Sequence, residues 1–474
     1  MLTATKAFCG CPNRFGDAPN SNVCPVCLGL PGTLPVLNRD LVEFIMRMGL
    51  ATGCRITPRS ILARKNYFYP DLPKGYQISQ YEEPICVDGE LAIELESGAT
   101  TVVRIKRIHM EEDAGKLIHD QGPQTLVDLN RCGTPLIEIV TEPDLRSPRE
   151  AYHALILIRQ LVTYLGICDG NMEEGSLRCD ANVSIRLRGE TVLGTKTEVK
   201  NMNSFRNVER ALEFEIQRQI DLVGTGGRVV QQTLLWDADA GCAYPMRSKE
   251  EAHDYRYFPD PDLVPVLVDR AWEQAVRESL PELPVPRRDR YEHAFGLPRY
   301  DAEVLTAERP IADYFEQTLT ALQALRPGDG AALAKPVSNW VMTDVLRVVA
   351  EQRVEVASFP IAPVRLAAMI GLILDGTISG KIAKDVFEAM LTSPAEPTAI
   401  VQERGLVQVS DGGAITAIVD EVLTAHGAQV QQYLGGNERV FGFFVGETMK
   451  RMQGKGNPKM VNEVLKARLA ARKG

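Results

Sequence analysis

From Leu177 the chain alternates strictly: Leu177, Cys179, Ala181, Val183, Ile185 and Leu187 fall on one side, and Arg178, Asp180, Asn182, Ser184, Arg186 and Arg188 on the other. A period of two is the signature of a strand with one buried face. After the turn from Gly189 to Gly194 the same period returns, with Lys196, Glu198 and Lys200 opposite Thr197 and Val199, which predicts a return strand. If the two pair, Arg178, Asp180, Asn182, Lys196, Glu198 and Lys200 merge into one polar floor. Ser147-Pro148-Arg149-Glu150 is a capping box with Pro at the first helical position, and it opens an amphipathic helix from Ala151 to Leu165. A second helix is expected after Ser204, with Val208, Leu212, Ile216 and Ile220 on one stripe.

Short strands, Gly and Pro turns and these polar clusters fill the chain to about residue 280, which reads as one large α+β domain. The run Pro281-Glu282-Leu283-Pro284-Val285-Pro286 marks a boundary. Beyond it the period becomes helical around Ala312 to Leu325, Pro336 to Val354, Val364 to Leu374 and Lys384 to Leu391, giving an all-α domain over 281–397. A small helical module is expected over 398–474. Its last part changes sign: from Phe441 onward eight Lys and Arg stand against two Glu, so Lys450, Arg451, Lys455 and Lys459 are candidates to meet a phosphate backbone. The alternative is a plain solvated helix.

Composition narrows the classes. Hydrophobic residues at 45% and charged residues at 24% suit a globular chain, and no apolar run nears the roughly 18 residues that span a bilayer. The opening Met1-Leu2-Thr3-Ala4-Thr5-Lys6 has no secretory pattern, so a cytoplasmic location with reduced thiols is expected. A net charge of −9 restricts any nucleic-acid contact to a local patch. Of ten cysteines, Cys9, Cys11, Cys24 and Cys27 cluster as two pairs flanking a loop with Gly16, Pro19 and Asn20. Four thiolates close a tetrahedral zinc shell and leave no open position, so the expected metal is structural; the alternative is four reduced thiols without metal.

The floor gains carboxylates from His109-Met110-Glu111-Glu112-Asp113 and from Glu138, which stands among the aliphatics of Leu136 to Val140. Extended geometry puts His109, Glu111 and Asp113 on one side. Clustered carboxylates repel unless a hard cation holds them, and magnesium is the one that also bridges phosphates. A network of structural ion pairs is the alternative. Gly376-Thr377-Ile378-Ser379-Gly380-Lys381-Ile382 falls one residue short of a phosphate loop and reads as a turn between helices, so a nucleotide would have to lie on a sheet.

Longer motifs carry a resemblance. They are Cys24 to Gly32, Tyr69 to Tyr81, Glu111 to Lys116, Asn130-Arg131, Gly175 to Asn182, Lys200 to Phe205, Asp254 to Leu263, Gly442 to Gly446 and Gly454 to Pro458. Over nearly its whole length the chain resembles the GatB family, the B subunit of the glutamyl/aspartyl-tRNA(Gln/Asn) amidotransferase. The resemblance implies a cradle-shaped catalytic domain with an antiparallel sheet, related to glutamine synthetase, then a helical domain and a tail that contacts tRNA(Gln) or tRNA(Asn). It implies a ligase that uses ATP to phosphorylate the glutamate or aspartate side chain on tRNA. A partner amidase subunit then supplies ammonia from glutamine, and a small clasp subunit holds the pair together. Carried onto matching positions, the resemblance assigns magnesium to Glu111, Glu138, Asp180 and Glu198, with Glu111, Asp180 and Glu198 catalytic. Arg178, Asn182, Lys196 and Lys200 are expected at ATP or phosphate, and Lys74 on the ammonia route or at phosphate. Family members usually begin with a further strand, Gly-Leu-Glu-(Val/Ile)-His-Val, whose Glu and His join the metal site. Here the chain starts after it, which is expected to reflect a start placed too far downstream, since every later acidic motif is retained; the alternative is a chain lacking part of its magnesium shell and of its sheet. A noncatalytic tRNA-binding scaffold is the rival reading.

Overall fold

The computed structural model describes the chain apart from residues 120–121, 247–254, 328–329, 408–410, 453–454 and 473–474. Asp254 and Gly454, which open two of the motifs above, lie outside the described residues. Two units result, Met1 to Pro284 and Val285 onward.

In the first unit the larger sheet runs Arg55–Ile56, Cys86–Glu94, Thr100–Glu112, Tyr76–Ser79, Ala63–Asn66 and Phe258–Pro259, with Pro135–Thr141 on the other side of Thr100–Glu112. Every pairing in it is antiparallel. One face is covered by helix Arg39–Ala51, which buries Leu41, Val42, Ile45, Met46 and Met48, and by helix Pro148–Tyr164, which buries Ala154, Ile158, Leu161 and Val162. The expected Ser147 cap is present, with Ser147 Oγ accepting from Glu150 N at 3.2 Å, but the return bond of a capping box goes one residue further back, Glu150 accepting from Arg146 N.

A second sheet orders Ala181–Val183, Thr197–Lys200, Thr233–Asp237 and Cys242–Pro245. The expected floor strands do pair, Asn182 opposite Glu198. The pairing is shorter than the alternation suggested, however, being confined to Ala181–Val183; past the strand's end Leu187 is 71% exposed. Thr197–Lys200 also pairs in parallel with Thr233–Asp237, so this sheet is mixed.

Helix Phe205–Gly224 backs the small sheet, capped by Ser204. Its buried stripe differs from the expected one. Val208, Ala211, Leu212, Glu215 and Gln219 face inward, while Ile220 is 47% exposed. The reason is a polar network: Glu215 accepts from Thr197 Oγ1 at 2.8 Å and from Arg218 at 2.6 Å, and Gln219 donates to Glu215, Thr197 and the Val183 carbonyl. Below it Val199, Leu234 and Trp236 pack on Val208, Ala211 and Leu212.

The second unit is helical. Helices Arg309–Leu325, Gly330–Trp340, Pro363–Leu374 and Gly380–Thr392 share one core centred on Phe315, Val337, Ile370 and Phe387. The helix expected from Pro336 starts at Gly330 instead and carries Pro336 inside; a π-turn, Val341–Val345, follows before Leu346–Gln352. Ser379 caps the helix after the Gly376 turn, as expected of a connector. A separate cluster of Ile415, Val419, Phe444, Val461 and Leu465 gathers helices Gly412–Ala425, Phe441–Arg451 and Pro458–Ala471.

Candidate active site

Strand Thr100–Glu112 and the residue after it deliver three consecutive acids to four different cationic partners. Glu111 meets Lys65 at 2.8 Å, reached from strand Ala63–Asn66. Glu112, on the opposite face and 2% exposed, takes the Lys74 ammonium and accepts from Ile78 N at 2.9 Å. Asp113 accepts from Arg131 at 2.5 Å and from Arg178 at 2.9 Å. The expectation that His109, Glu111 and Asp113 share a side fails at Asp113, since the strand ends at Glu112 and Asp113 turns to the two arginines.

His109 pairs across the sheet with Glu138, and both lie on the face of Glu111. Donor atoms of His109, Glu111 and Glu138 fall within 4.8 Å of one another. Burial, with Arg107 and Lys65 adding, pushes the His109 pKa down to about 3, so the ring is neutral at working pH. Arg107 donates to Nδ1 at 3.4 Å, which leaves the ring proton on Nε2, 3.7 Å from Glu138. Burial acts against the Lys65 ammonium, but the Glu111 carboxylate and the tyrosine oxygens behind it more than reverse this and raise its pKa. For Glu138, burial first and then the Glu111 charge raise the carboxyl pKa, with Asp180 adding to the effect. Two carboxylates holding oxygens together against their own repulsion fit a hard divalent cation.

A raised carboxyl pKa means that Glu138 favours the fold in its protonated form, and that this contribution is lost as pH rises through its folded value. In magnesium-free buffer, Glu138→Gln therefore raises the Tm at pH 7 by about 1 °C, kept small by solvent screening of a half-exposed side chain. The gain disappears near pH 4. Thermal melts at the two pH values check this, and a lower Tm at pH 7 than the parent's contradicts it.

On the small sheet Lys200 bridges two acids, at 2.8 Å to Asp180 and 3.3 Å to Glu198, while Thr233 Oγ1 donates to Glu198 at 3.0 Å. Asn182 faces outward beside Glu198. Of the four expected magnesium ligands, Glu111 and Glu138 thus come together with His109, while Asp180 and Glu198 form a second group around Lys200, linked to the first by the Asp180 charge felt at Glu138. Arg178 leaves the floor for Asp113, and Lys196 is exposed just ahead of its strand. Lys65 escaped the sequence reading because its partner lies 46 residues away. An open depression of about 470 Å³ lies between Asp169 to Glu173 and Asn203 to Phe205.

Cys9, Cys11, Cys24 and Cys27 converge, with Cys27 Sγ at 3.5, 3.9 and 3.8 Å from the sulfurs of Cys9, Cys11 and Cys24. Tetrahedral zinc at about 2.3 Å from each sulfur spaces them roughly 3.8 Å apart, so the donor set fits. Hydrogen bonding from Cys9 holds the Cys27 thiol well below the usual range. The loop is tied to the segment after the acidic strand: Asn20 N donates to Asp128 at 3.0 Å, Asn22 N to Asn130 at 2.8 Å, and Cys132 Sγ to the Cys27 carbonyl at 3.4 Å.

In the tail, Lys450 is 80% exposed, Arg451 pairs with Glu421 at 3.3 Å, and Lys459 sits in the first turn of Pro458–Ala471. Lys455 precedes that helix and is partly buried.

Comparison with known families gives residues 1–274 as a GatB/GatE catalytic domain and residues 313–469 as a GatB domain. The class so defined is a catalytic domain of the GatB/GatE type joined to a helical GatB domain. A Chlorobium limicola protein, described as the B subunit of an aspartyl/glutamyl-tRNA(Asn/Gln) amidotransferase, is 59% identical over 469 residues, 99% of this chain and 97% of its own. The Geobacter sulfurreducens protein of the same description is 58% identical over 473 residues, with the same coverage. This chain belongs to the family of B subunits of the aspartyl/glutamyl-tRNA amidotransferases.

Proposed function

We propose that the chain activates the side-chain carboxylate of a glutamate on tRNA(Gln) or an aspartate on tRNA(Asn), at the expense of ATP. The single observation that carries this reading beyond family membership is the meeting of Glu111, Glu138 and neutral His109 beside the Asp180–Lys200–Glu198 group. A substrate carboxylate oxygen attacks the γ-phosphorus and ADP leaves. The ammonia nitrogen then adds to the acyl phosphate carbon, inorganic phosphate departs, and the nitrogen loses a proton to give the amide. Ordinary carboxylates have no usable leaving group, so positioning and charge stabilisation are what the site supplies. Glu111 and Glu138, with Asp180 and Glu198 nearby, would hold magnesium, which would supply positive charge to offset that of the phosphates. Lys65 fixes the Glu111 carboxylate, and Lys200 holds the two floor acids apart at a set spacing. Asn182 and Lys196 offer donors to phosphate oxygens at the floor's rim, Arg178 offers them from its place on Asp113, and Lys74 lines the route of ammonia or meets phosphate.

The same reading takes the first 280 residues as a cradle of the glutamine synthetase kind, 281–397 as a helical domain and 398–474 as the tail that meets tRNA through Lys450, Arg451, Lys455 and Lys459. Zinc in the four-cysteine shell is structural, since four thiolates leave it no open position. The partners are an amidase that frees ammonia from glutamine and a small clasping subunit. Ten free cysteines and no helix long and apolar enough to cross a membrane among the described residues accord with a cytoplasmic setting. The test is ADP release by the reconstituted complex with glutamate- or aspartate-charged tRNA. Release is expected only with the misacylated tRNA; none under any charging, with tRNA still bound, returns the chain to a scaffold.

A further inference from the structure

Lys6 is fully buried, and among the described residues no carboxylate forms an ion pair with it. Its ammonium lies 3.4 Å from Cys27 Sγ and 3.5 Å from the Leu129 carbonyl. Glu112 is close by, across Gly133, where a side-chain carbon would stand 3.7 Å from both the Glu112 carboxylate and the Lys6 stem. Lys74 already holds that carboxylate. A buried ammonium is costly unless an anion answers it, and the anion within reach is the Cys27 sulfur. The cysteine shell has the converse need, because four thiolates around a divalent ion leave two negative charges in a half-buried pocket.

We propose that Lys6 is the built-in counter-charge of the four-cysteine centre and sets how firmly that centre keeps its metal. The backbone places it for this: Lys6 N donates to the Cys11 carbonyl at 3.0 Å, so the segment bearing the lysine is folded onto the cysteine loop. The ammonium donates to a thiolate that also ligates, which offsets charge and orients the sulfur, as outer partners of metal ligands commonly do. The cysteine loop also meets Lys74: Gly29, at φ +63°, packs so close that a side-chain carbon there would come within 2.6 Å of the Lys74 stem. Two lysines with nearly sealed side chains thus adjoin the cysteine loop, Lys6 facing sulfur and Lys74 facing Glu112.

This inference rests on the reading of the cysteines as a zinc site. The experiment loads the intact complex with zinc and follows transfer of the metal to a chelating dye at fixed pH, for the parent, Lys6→Arg, Lys6→Gln and Lys6→Met. Lys6→Met and Lys6→Gln are expected to release zinc at least about tenfold faster than the parent, with Lys6→Arg close to it. Release from Lys6→Gln within twofold of the parent overturns the role of the charge, and that variant keeps the measurement decisive if Lys6→Met does not fold. A parent that takes up no zinc sinks the metal site itself. Neither result touches the amidation reading, because metal release is read without tRNA or ATP.

Discussion

Glu111→Gln abolishes ATP-dependent amidation, with kcat falling by about 10³-fold or more, while the partner amidase goes on hydrolysing glutamine. The substitution keeps the shape of the side chain and removes its charge. Lys65, at 2.8 Å, then faces a neutral amide, and the three-donor group loses one of its two carboxylates. The fold survives, because Lys65 keeps the Tyr255 ring 5.2 Å from its ammonium. Single-turnover amidation of charged tRNA, run beside a glutaminase assay on the same preparation, checks it. An amidation rate equal to the parent's removes Glu111 from the chemistry.

Lys74→Met lowers the stability of the first unit by about 3 to 5 kcal/mol, as expected when one partner of a buried ion pair is deleted and the other charge stays. Both side chains are nearly sealed, Lys74 at 7% and Glu112 at 2% exposure. Lys74→Met with Glu112→Leu recovers part of the loss, since no charge is then stranded; the Ile78 N–H, which Glu112 accepts at 2.9 Å, remains unpaired. Urea unfolding of the two variants measures the difference. Were Lys74→Met alone as stable as the parent, the pair would not hold the strand end, and a double variant that refolds without amidating would place Lys74 in the reaction.

What the sequence disclosed depended on range. Period-two alternation around Asn182 and Glu198 announced the paired floor strands, and the Ser147 and Ser204 caps announced their helices, because each is decided within a few residues. The cysteine shell was legible for a similar reason: two thiol pairs across a short loop leave few arrangements. Longer-range pairings were invisible. Lys65 with Glu111, Lys74 with Glu112 and Arg178 with Asp113 are separated by 46, 38 and 65 residues, and nothing local distinguishes those lysines from surface ones. The helix stripe misled for a different reason: Ile216 and Ile220 are more apolar than Glu215 and Gln219, yet the polar pair goes inside because it has hydrogen bonds to make there.

That inward-facing pair also acts as a registry lock. A one-residue slip of Thr197–Lys200 would exchange the two sides of the strand, sending Glu198 and Lys200 inward and Val199 out. Three residue pairs join it to Ala181–Val183 and three more to Thr233–Asp237, short ladders to which the side chains behind the sheet add a further constraint. Glu215 and Gln219 read the Thr197 hydroxyl and the Val183 carbonyl together, so a displaced strand would deprive the sealed Glu215 carboxylate of its Thr197 donor and leave it only those on its own helix. Which side chains the small sheet turns outward is therefore decided from behind, by the helix that backs it.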